Sequence, residues 1–275
     1  MKQKILATKT LPPNSYEISP FYQALSAALA QRGSTVKDIC PLDDHIARRV
    51  LHDYGAIFVA GEMVTPPPVC VFTAEDDVSE FQARAGYEAA TTGDAVIELQ
   101  PSATQALLQA RAAAHEVGLD ITPRDGAEAA RRSYADTVRL WNSRFLPALA
   151  HWTNLGRLDE GHAQNLQRLP INQQVAEVLE LEKEGIFFSK DFSKSVLYSI
   201  AAPGTSQHIA MLAFDANEFL DQRVRSIVAQ HGWFQTVLSD LPHFTFLGLK
   251  EEDLPARGLK SVEVHRQRFW IPDVG

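Results

Sequence analysis

Positive charge is in short supply in this chain of 275 residues, where 26 lysines and arginines stand against 34 aspartates and glutamates, a net charge of -8. A nucleic-acid footprint or a polybasic membrane patch needs the opposite balance, so no nucleic acid is expected as a partner. Cysteine is nearly absent, with Cys40 and Cys70 alone. Two thiols cannot build a disulfide scaffold, and their spacing does not suit a zinc knuckle. One bridge would form in an oxidising compartment, but the expectation is two unpaired, partly buried thiols. No stretch approaches the roughly 18 apolar residues of an integral membrane segment. No apolar signal-peptide core follows Lys2 and Lys4 before Pro12 and Pro13. Internal repeats and low-complexity tracts are also missing.

What remains is a chain with 45% hydrophobic and 22% charged residues, enough for one large domain or two modest ones. A small-molecule or peptide substrate suits this composition. Residues 20–32 read as a helix with Phe21, Leu25, Ala28 and Leu29 on one face and Gly33 past its end. Asp43 is placed to cap a second helix through His52. The runs at 56–60 and 69–72 read as buried strands, and Glu75-Asp76-Asp77 as an acidic helix start. The composition turns small and polar at Thr91-Thr92-Gly93-Asp94, which sets a boundary between residues 1–92, of unassigned role, and residues 93–275. Beyond it a helix is expected over 102–117, a short strand over 119–122 and a helix over 127–144. Residues 150–198 read as mostly helical, with Glu177, Glu180, Glu182 and Glu184 on a solvated face. Residues 195–200 read as extended, and 262–264 and 269–271 as strands that close the sheet. Helices alternating with short strands, without regular βαβ units, predict an α+β fold: a small antiparallel sheet with flanking helices.

The residues that carry chemistry lie in the last third. His208, Asp215 and His243 offer two imidazoles and a carboxylate, and three such ligands leave a tetrahedral zinc ion, Zn2+, with its fourth position open, as catalytic zinc sites do. Leu212-Ala213-Phe214 enters a buried strand that ends in Asp215. Period-two alternation puts His243, Thr245 and Leu247 on one strand face, and Pro242 fits the strand's first position or edge. Asp240, three residues before His243, is placed to take a proton from water and return it to a leaving amine. A single histidine on an apolar strand is usually structural, and His151 and His231 are read so. Ser206, two residues from His208, lacks the aligned base and orienter of a nucleophile and is read as a hydrogen-bonding residue at the site. Trp141 and Trp233 fit a cleft or a core. Ser34-Thr35-Val36-Lys37 matches a Ser-x-x-Lys pattern without the Lys-Thr-Gly that accompanies it in penicillin-binding enzymes.

The pattern Ser206-x-His208-x-x-x-x-Ala213-x-Asp215, then Gly232-Trp233 and Asp240-x-Pro242-His243-Phe244, resembles the VanY-like D-Ala-D-Ala carboxypeptidases and the related L-alanyl-D-glutamate endopeptidases. These are zinc metallopeptidases of bacterial cell-wall peptides. The resemblance spans roughly residues 95–250 and includes Arg132-Ser133-Tyr134 to Leu140-Trp141. It implies zinc on His208, Asp215 and His243, Asp240 as catalytic acid and base, and an arginine that balances developing negative charge. Arg132 matches by spacing, and Arg124 by its place after the strand end. Ser206 and Trp233 are assigned to substrate binding. Three positions depart from the family: Met211 for glycine, Thr137 for glutamine, and Asp240 for the glutamate of the carboxypeptidase branch. An aspartate before x-Pro-His-Phe is the endopeptidase pattern.

The resemblance thus implies a peptidase acting on a peptidoglycan-derived peptide, foremost a D-Ala-D-Ala carboxypeptidase, alternatively an L-alanyl-D-glutamate endopeptidase or a catalytically silent zinc-containing module that binds wall peptides. Such a substrate implies an extracytoplasmic location, the periplasm or cell envelope. No oligomeric state follows from the sequence.

Overall fold

The computed structural model describes residues 18–275, so the reading of residues 1–13 lies outside the described residues. In chain order the elements are α1 (Pro20–Gln31), α2 (Val36–Ile39), α3 (His45–Tyr54), α4 (Glu75–Ala85), β1 (Glu88–Thr92), β2 (Ala95–Leu99), α5 (Pro101–Glu116), α6 (Tyr134–Asn154), α7 (Glu160–Arg168) and α8 (Ile171–Lys183). There follow β3 (Ala213–Asp215), α9 (Gln222–Gln230), β4 (Trp233–Phe234), β5 (His243–Phe246), β6 (Leu259–Val264) and β7 (Gln267–Pro272). The fold is α+β.

Local chemistry sets the helix ends. Ser19 accepts from the Tyr22 amide ahead of Pro20, and Gly33 takes φ 70° just past α1, the left-handed geometry that glycine enters without strain. Asp44, one residue beyond the expected Asp43, accepts from the Ile46 and Ala47 amides and starts α3. Ser133 and Asp136 form a capping box that starts α6 at Tyr134. The helix expected from residue 127 therefore begins later, and residues 130–133 are released to reach the site. Among the described residues no helix is long and apolar enough to cross a membrane.

Among the described residues three sheets form, all antiparallel: β1 with β2, β3-β5-β4, and β6 with β7. The last pair stands as its own hairpin and does not extend the central sheet; it is tied to the residue after β4 by the Trp270 amide, which donates to the Gln235 carbonyl at 2.8 Å, and by Gln235 Nε2, which donates to Gln267 Oε1 at 2.7 Å. Residues 91–94 form the tip of the β1–β2 hairpin, where Thr92 pairs with Ala95. The main core runs through that point without a break, from Phe21 and Leu25 to Leu259 and Trp270. A second core gathers α6, α7 and α8 with the chain behind them, from Trp141 and Phe145 to Ala202. Each large apolar side chain so buried contributes about 1.5–3 kcal/mol.

Several expected strands take other forms. Gly55–Val59 is a buried 3-10 helix. A short apolar run fits a buried helix as well as a strand, because periodicity does not separate them. Residues 69–72 make single bonds instead of a ladder, Cys70 N to Ile39 O at 2.8 Å and Phe72 N to Gly204 O at 2.9 Å. Residues 119–122 contribute no strand; the neighbouring Pro123 makes an isolated bridge to Ala216. Val196–Tyr198 is a 3-10 turn where an extended segment was expected. Glu182 is buried, not solvated: its Oε1 accepts from the Val196 amide at 2.6 Å and the Phe188 amide at 3.2 Å.

Cys40 and Cys70 form a disulfide, against the expectation of unpaired thiols. They are 30 residues apart, and closing a loop of that size in the unfolded chain stabilises the fold by roughly 3–4 kcal/mol on chain-entropy grounds. Thermal unfolding with and without reductant should show the reduced form less stable by that order; coincident transitions would refute it.

Candidate metal centre

His208 lies in a 3-10 turn, Gln207–Ala210, started by Ser206, whose Oγ accepts from the His208 amide at 3.4 Å. Met211 ends the turn at φ 55°, a left-handed conformation. A glycine would favour this geometry, and a buried methionine adopts it at a cost of about 1–2 kcal/mol. The bonds Met211 N to His208 O, 3.1 Å, and Gln100 N to Met211 O, 3.0 Å, hold it there. The chain then enters β3 and ends it at Asp215, which lies directly opposite His243 of β5.

Facing residues on paired strands share a face, and neighbours alternate. Asp215, His243, Thr245 and Phe234 therefore lie on one side of the sheet, and Phe214, Phe244, Phe246 and Trp233 on the other. Trp233 is thus placed away from the site. It packs at 5.2 Å from Phe246 and 6.3 Å from Phe214, ring centre to ring centre, and is 1% exposed. The substrate-binding assignment for Trp233 is corrected by strand parity.

His208 Nε2, His243 Nδ1 and Asp215 Oδ1 form a near-equilateral triangle. The edges are 3.1 Å between the two nitrogens, 3.1 Å from His243 Nδ1 to the carboxylate and 3.3 Å from His208 Nε2. A tetrahedral ion with bonds of about 2.0–2.1 Å requires ligand–ligand edges of about 3.3–3.4 Å. The three residues are buried and together could hold a metal ion.

The outer contacts fix which nitrogen faces inward. His208 Nδ1 lies 2.8 Å from the Ala130 carbonyl, which can only accept, so Nδ1 carries the proton and Nε2 presents a lone pair. Gln207 Nε2 donates to the Tyr54 carbonyl at 2.9 Å, which turns Gln207 Oε1 toward His243 Nε2 at 2.8 Å. His243 Nε2 is then the donor, and Nδ1 faces the centre. Thr245 Oγ1 also donates to Gln207 Oε1, at 2.5 Å. Two lone pairs and a carboxylate oxygen converge, an arrangement that calls for a cation.

Charge supports the same reading. Burial, then the nearby Arg132, pushes His208 down to about 4, so it is neutral and able to ligate at pH 7. Burial opposes ionisation of Asp215, yet its carboxyl is held well below the usual carboxylate range. Arg132 Nη2 adds an ion pair to Asp215 Oδ2 at 2.9 Å, while its Nε donates to the Glu128 carbonyl at 2.9 Å.

A cavity of about 120 Å3 opens above the triangle, with Arg132, Ser206, Gln207, His208, Asp240 and His243 among its walls. Asp240 is open to solvent yet surrounded by protein on most sides; that crowding, then the charge of Asp215, raises its pKa above the ordinary value. Arg124 is not part of this wall. Its amide donates to the Asp215 carbonyl at 2.8 Å and its guanidinium lies over the Phe219 ring at 5.6 Å. Of the two arginines, Arg132 lines the cavity, while the charge of both reaches Asp240. Thr137 Oγ1 accepts from the Gly204 amide at 3.1 Å and steadies the turn that leads to Ser206. His151 stacks on Phe192 at 4.2 Å, outside the site.

Sequence reasoning missed Gln207, Tyr54 and the Ala130 carbonyl. Thr245 was within reach, because it alternates onto the face of His243. Comparison with protein-family models, with curated proteins and with solved structures finds no match.

Three outcomes are expected. Elemental analysis should find about one divalent ion per chain, and His208→Ala should abolish it. Gln207→Leu, which removes the acceptor behind His243, should weaken metal affinity roughly 10–100-fold; unchanged affinity in a competitive chelator titration would refute the outer contact. Gly204 takes φ 78° and a Cβ there would collide with the Phe72 carbonyl, so Gly204→Ala should lower the melting temperature and, by shifting the turn before Ser206, the metal affinity too.

Proposed function

We propose that the protein is a zinc-dependent peptidase of peptidoglycan stem peptides, foremost a D-Ala-D-Ala carboxypeptidase. The observation that supports this most is the triangle of three lone-pair donors at the floor of an open cavity, with an elevated-pKa carboxylate and an arginine in its walls. Zinc suits two imidazoles and one carboxylate, and when bound supplies Lewis-acid polarisation of a carbonyl and a lowered pKa for water.

The chain's own groups carry the rest. Asp240, accessible and with a raised pKa, takes the proton of the attacking water and delivers it to the leaving amine. Arg132 fixes the Asp215 carboxylate by Oδ2 and leaves Oδ1 for the ion. Its positive charge, fixed in place before reaction, also favours the negative charge that develops on the scissile carbonyl oxygen. Ser206 holds the turn of His208 and borders the cavity, where it can bond a peptide backbone. The Cys40–Cys70 bridge supports an oxidising, extracytoplasmic setting. The short Asp240 side chain in an Asp-x-Pro-His-Phe context keeps the L-alanyl-D-glutamate endopeptidase as the second reading.

Digestion of purified muropeptides with and without chelator, read by mass spectrometry, tests both. Loss of one terminal alanine marks the carboxypeptidase, and release of a longer peptide marks the endopeptidase. Asp240→Asn should lower kcat by about 10²–10⁴-fold with zinc retained. Peptide binding without any cleavage would overturn the enzyme reading in favour of a silent binding module.

A further inference from the structure

A second hollow of about 130 Å3 adjoins the cavity above the triangle, and Tyr54, Leu197, Tyr198, Val237 and Ser239 border both. We read these neighbouring hollows as one cleft, with the His208–Asp215–His243 triangle at one end and Arg49 of α3 at the other.

Arg49 is tethered by Nε to Asp53 Oδ2 at 3.1 Å. Its Nη1 and Nη2 make no hydrogen bond among the described residues. The guanidinium lies 6.0 Å from the centre of the Tyr198 ring, and Tyr198 is 58% exposed. This tyrosine does not hang on a slack loop. Its turn is fixed by the Val196 amide on buried Glu182 and, one residue beyond, by Ser199 Oγ accepting from Arg144 Nε at 2.8 Å. A guanidinium anchored by Nε with both terminal nitrogens available is the planar fork that fits a carboxylate in two parallel bonds. An exposed aromatic face beside it supplies an apolar wall for the group that bears the carboxylate.

We propose that the Arg49–Tyr198 end of the cleft is a carboxylate-binding subsite, which receives an acidic group of the peptide that reaches the triangle. The inference rests on the peptide-substrate reading and names its specificity. It gives residues 1–92 a function, because α3 supplies the cation. The carboxylate can belong to a side chain of the peptide or to its C-terminus, and the chemistry at Arg49 is the same.

Calorimetric titration separates these sources. The Asp240→Asn protein, which does not consume its ligand, is titrated with the peptide Ala-Glu-Lys-Ala, with its Ala-Gln-Lys-Ala counterpart and with the C-terminal amide of the first. The acidic peptide should bind roughly tenfold more tightly than the analogue lacking the recognised carboxylate. Arg49→Gln in the same background should erase that difference, and Arg49→Lys should restore part of it, with unchanged melting curves showing that both fold. A difference against the glutamine peptide places the carboxylate on a side chain, and against the amide at the C-terminus. Equal binding of all three peptides, no binding, or a preference that survives Arg49→Gln overturns the proposal. Chelator-sensitive cleavage judges the peptidase reading separately, so an Arg49-dependent preference without cleavage sinks that reading alone, and cleavage without the preference sinks this one alone.

Discussion

Two imidazole lone pairs and a carboxylate oxygen meet within 3.1–3.3 Å in a buried corner of this fold, and electron density of one kind at that range is repulsive unless positive charge stands among it. The surroundings hold the three atoms in place despite the repulsion. Ala130 and Gln207 take the outward protons of the two rings, so neither ring can turn a proton inward without breaking a buried hydrogen bond. Arg132 is close enough to stabilise Asp215 and to depress His208 at once. Those two effects favour the same state: one charged carboxylate and two neutral imidazoles, a ligand set that could hold a divalent ion.

Very little regular sheet is needed to build this corner. The central sheet has strands of three, two and four residues, too short to be stable alone. Its rigidity comes from packing. Phe214, Phe244, Phe246 and Trp233 seal the rear face into the main core, while the front face carries the ligands. Separation of faces by parity lets one short strand pair serve both purposes, with His243 and Phe244 adjacent in sequence and opposite in role.

The α+β class and the grouping of His208, Asp215 and His243 were legible because they depend on residue type and close spacing along two local segments. Asp240 followed from the second of those segments, and the structure brings it and Arg132 to the cavity. The choice of Arg132 over Arg124 was not legible: it depends on where α6 begins, which the Ser133–Asp136 capping box decides three-dimensionally. Trp233 misled because its strand, only two residues long, gives no alternation from which to read a face. The buried run at 56–60 misled for a related reason, since continuous burial removes the periodicity that separates strand from helix. Glu182 was hidden in a charge run whose other members are solvent-facing; only the amides of Phe188 and Val196, distant from it by turns of chain, reveal its purpose.

The parts of the chain outside the ligand segments converge on one place. Cys40 and Cys70 bracket α3, so their bond closes a loop that contains Arg49 and Tyr54. The opposite wall comes from the chain after α8, clamped by Glu182 to the second hydrophobic core. Tyr54 joins the two ends of the cleft, because its carbonyl orients Gln207 behind His243 while its side chain borders both hollows. A shift of α3 would therefore be felt as a rotation of the Gln207 amide and a loss of the His243 tautomer. The Cys40–Cys70 bond therefore encloses the segment that carries this contact.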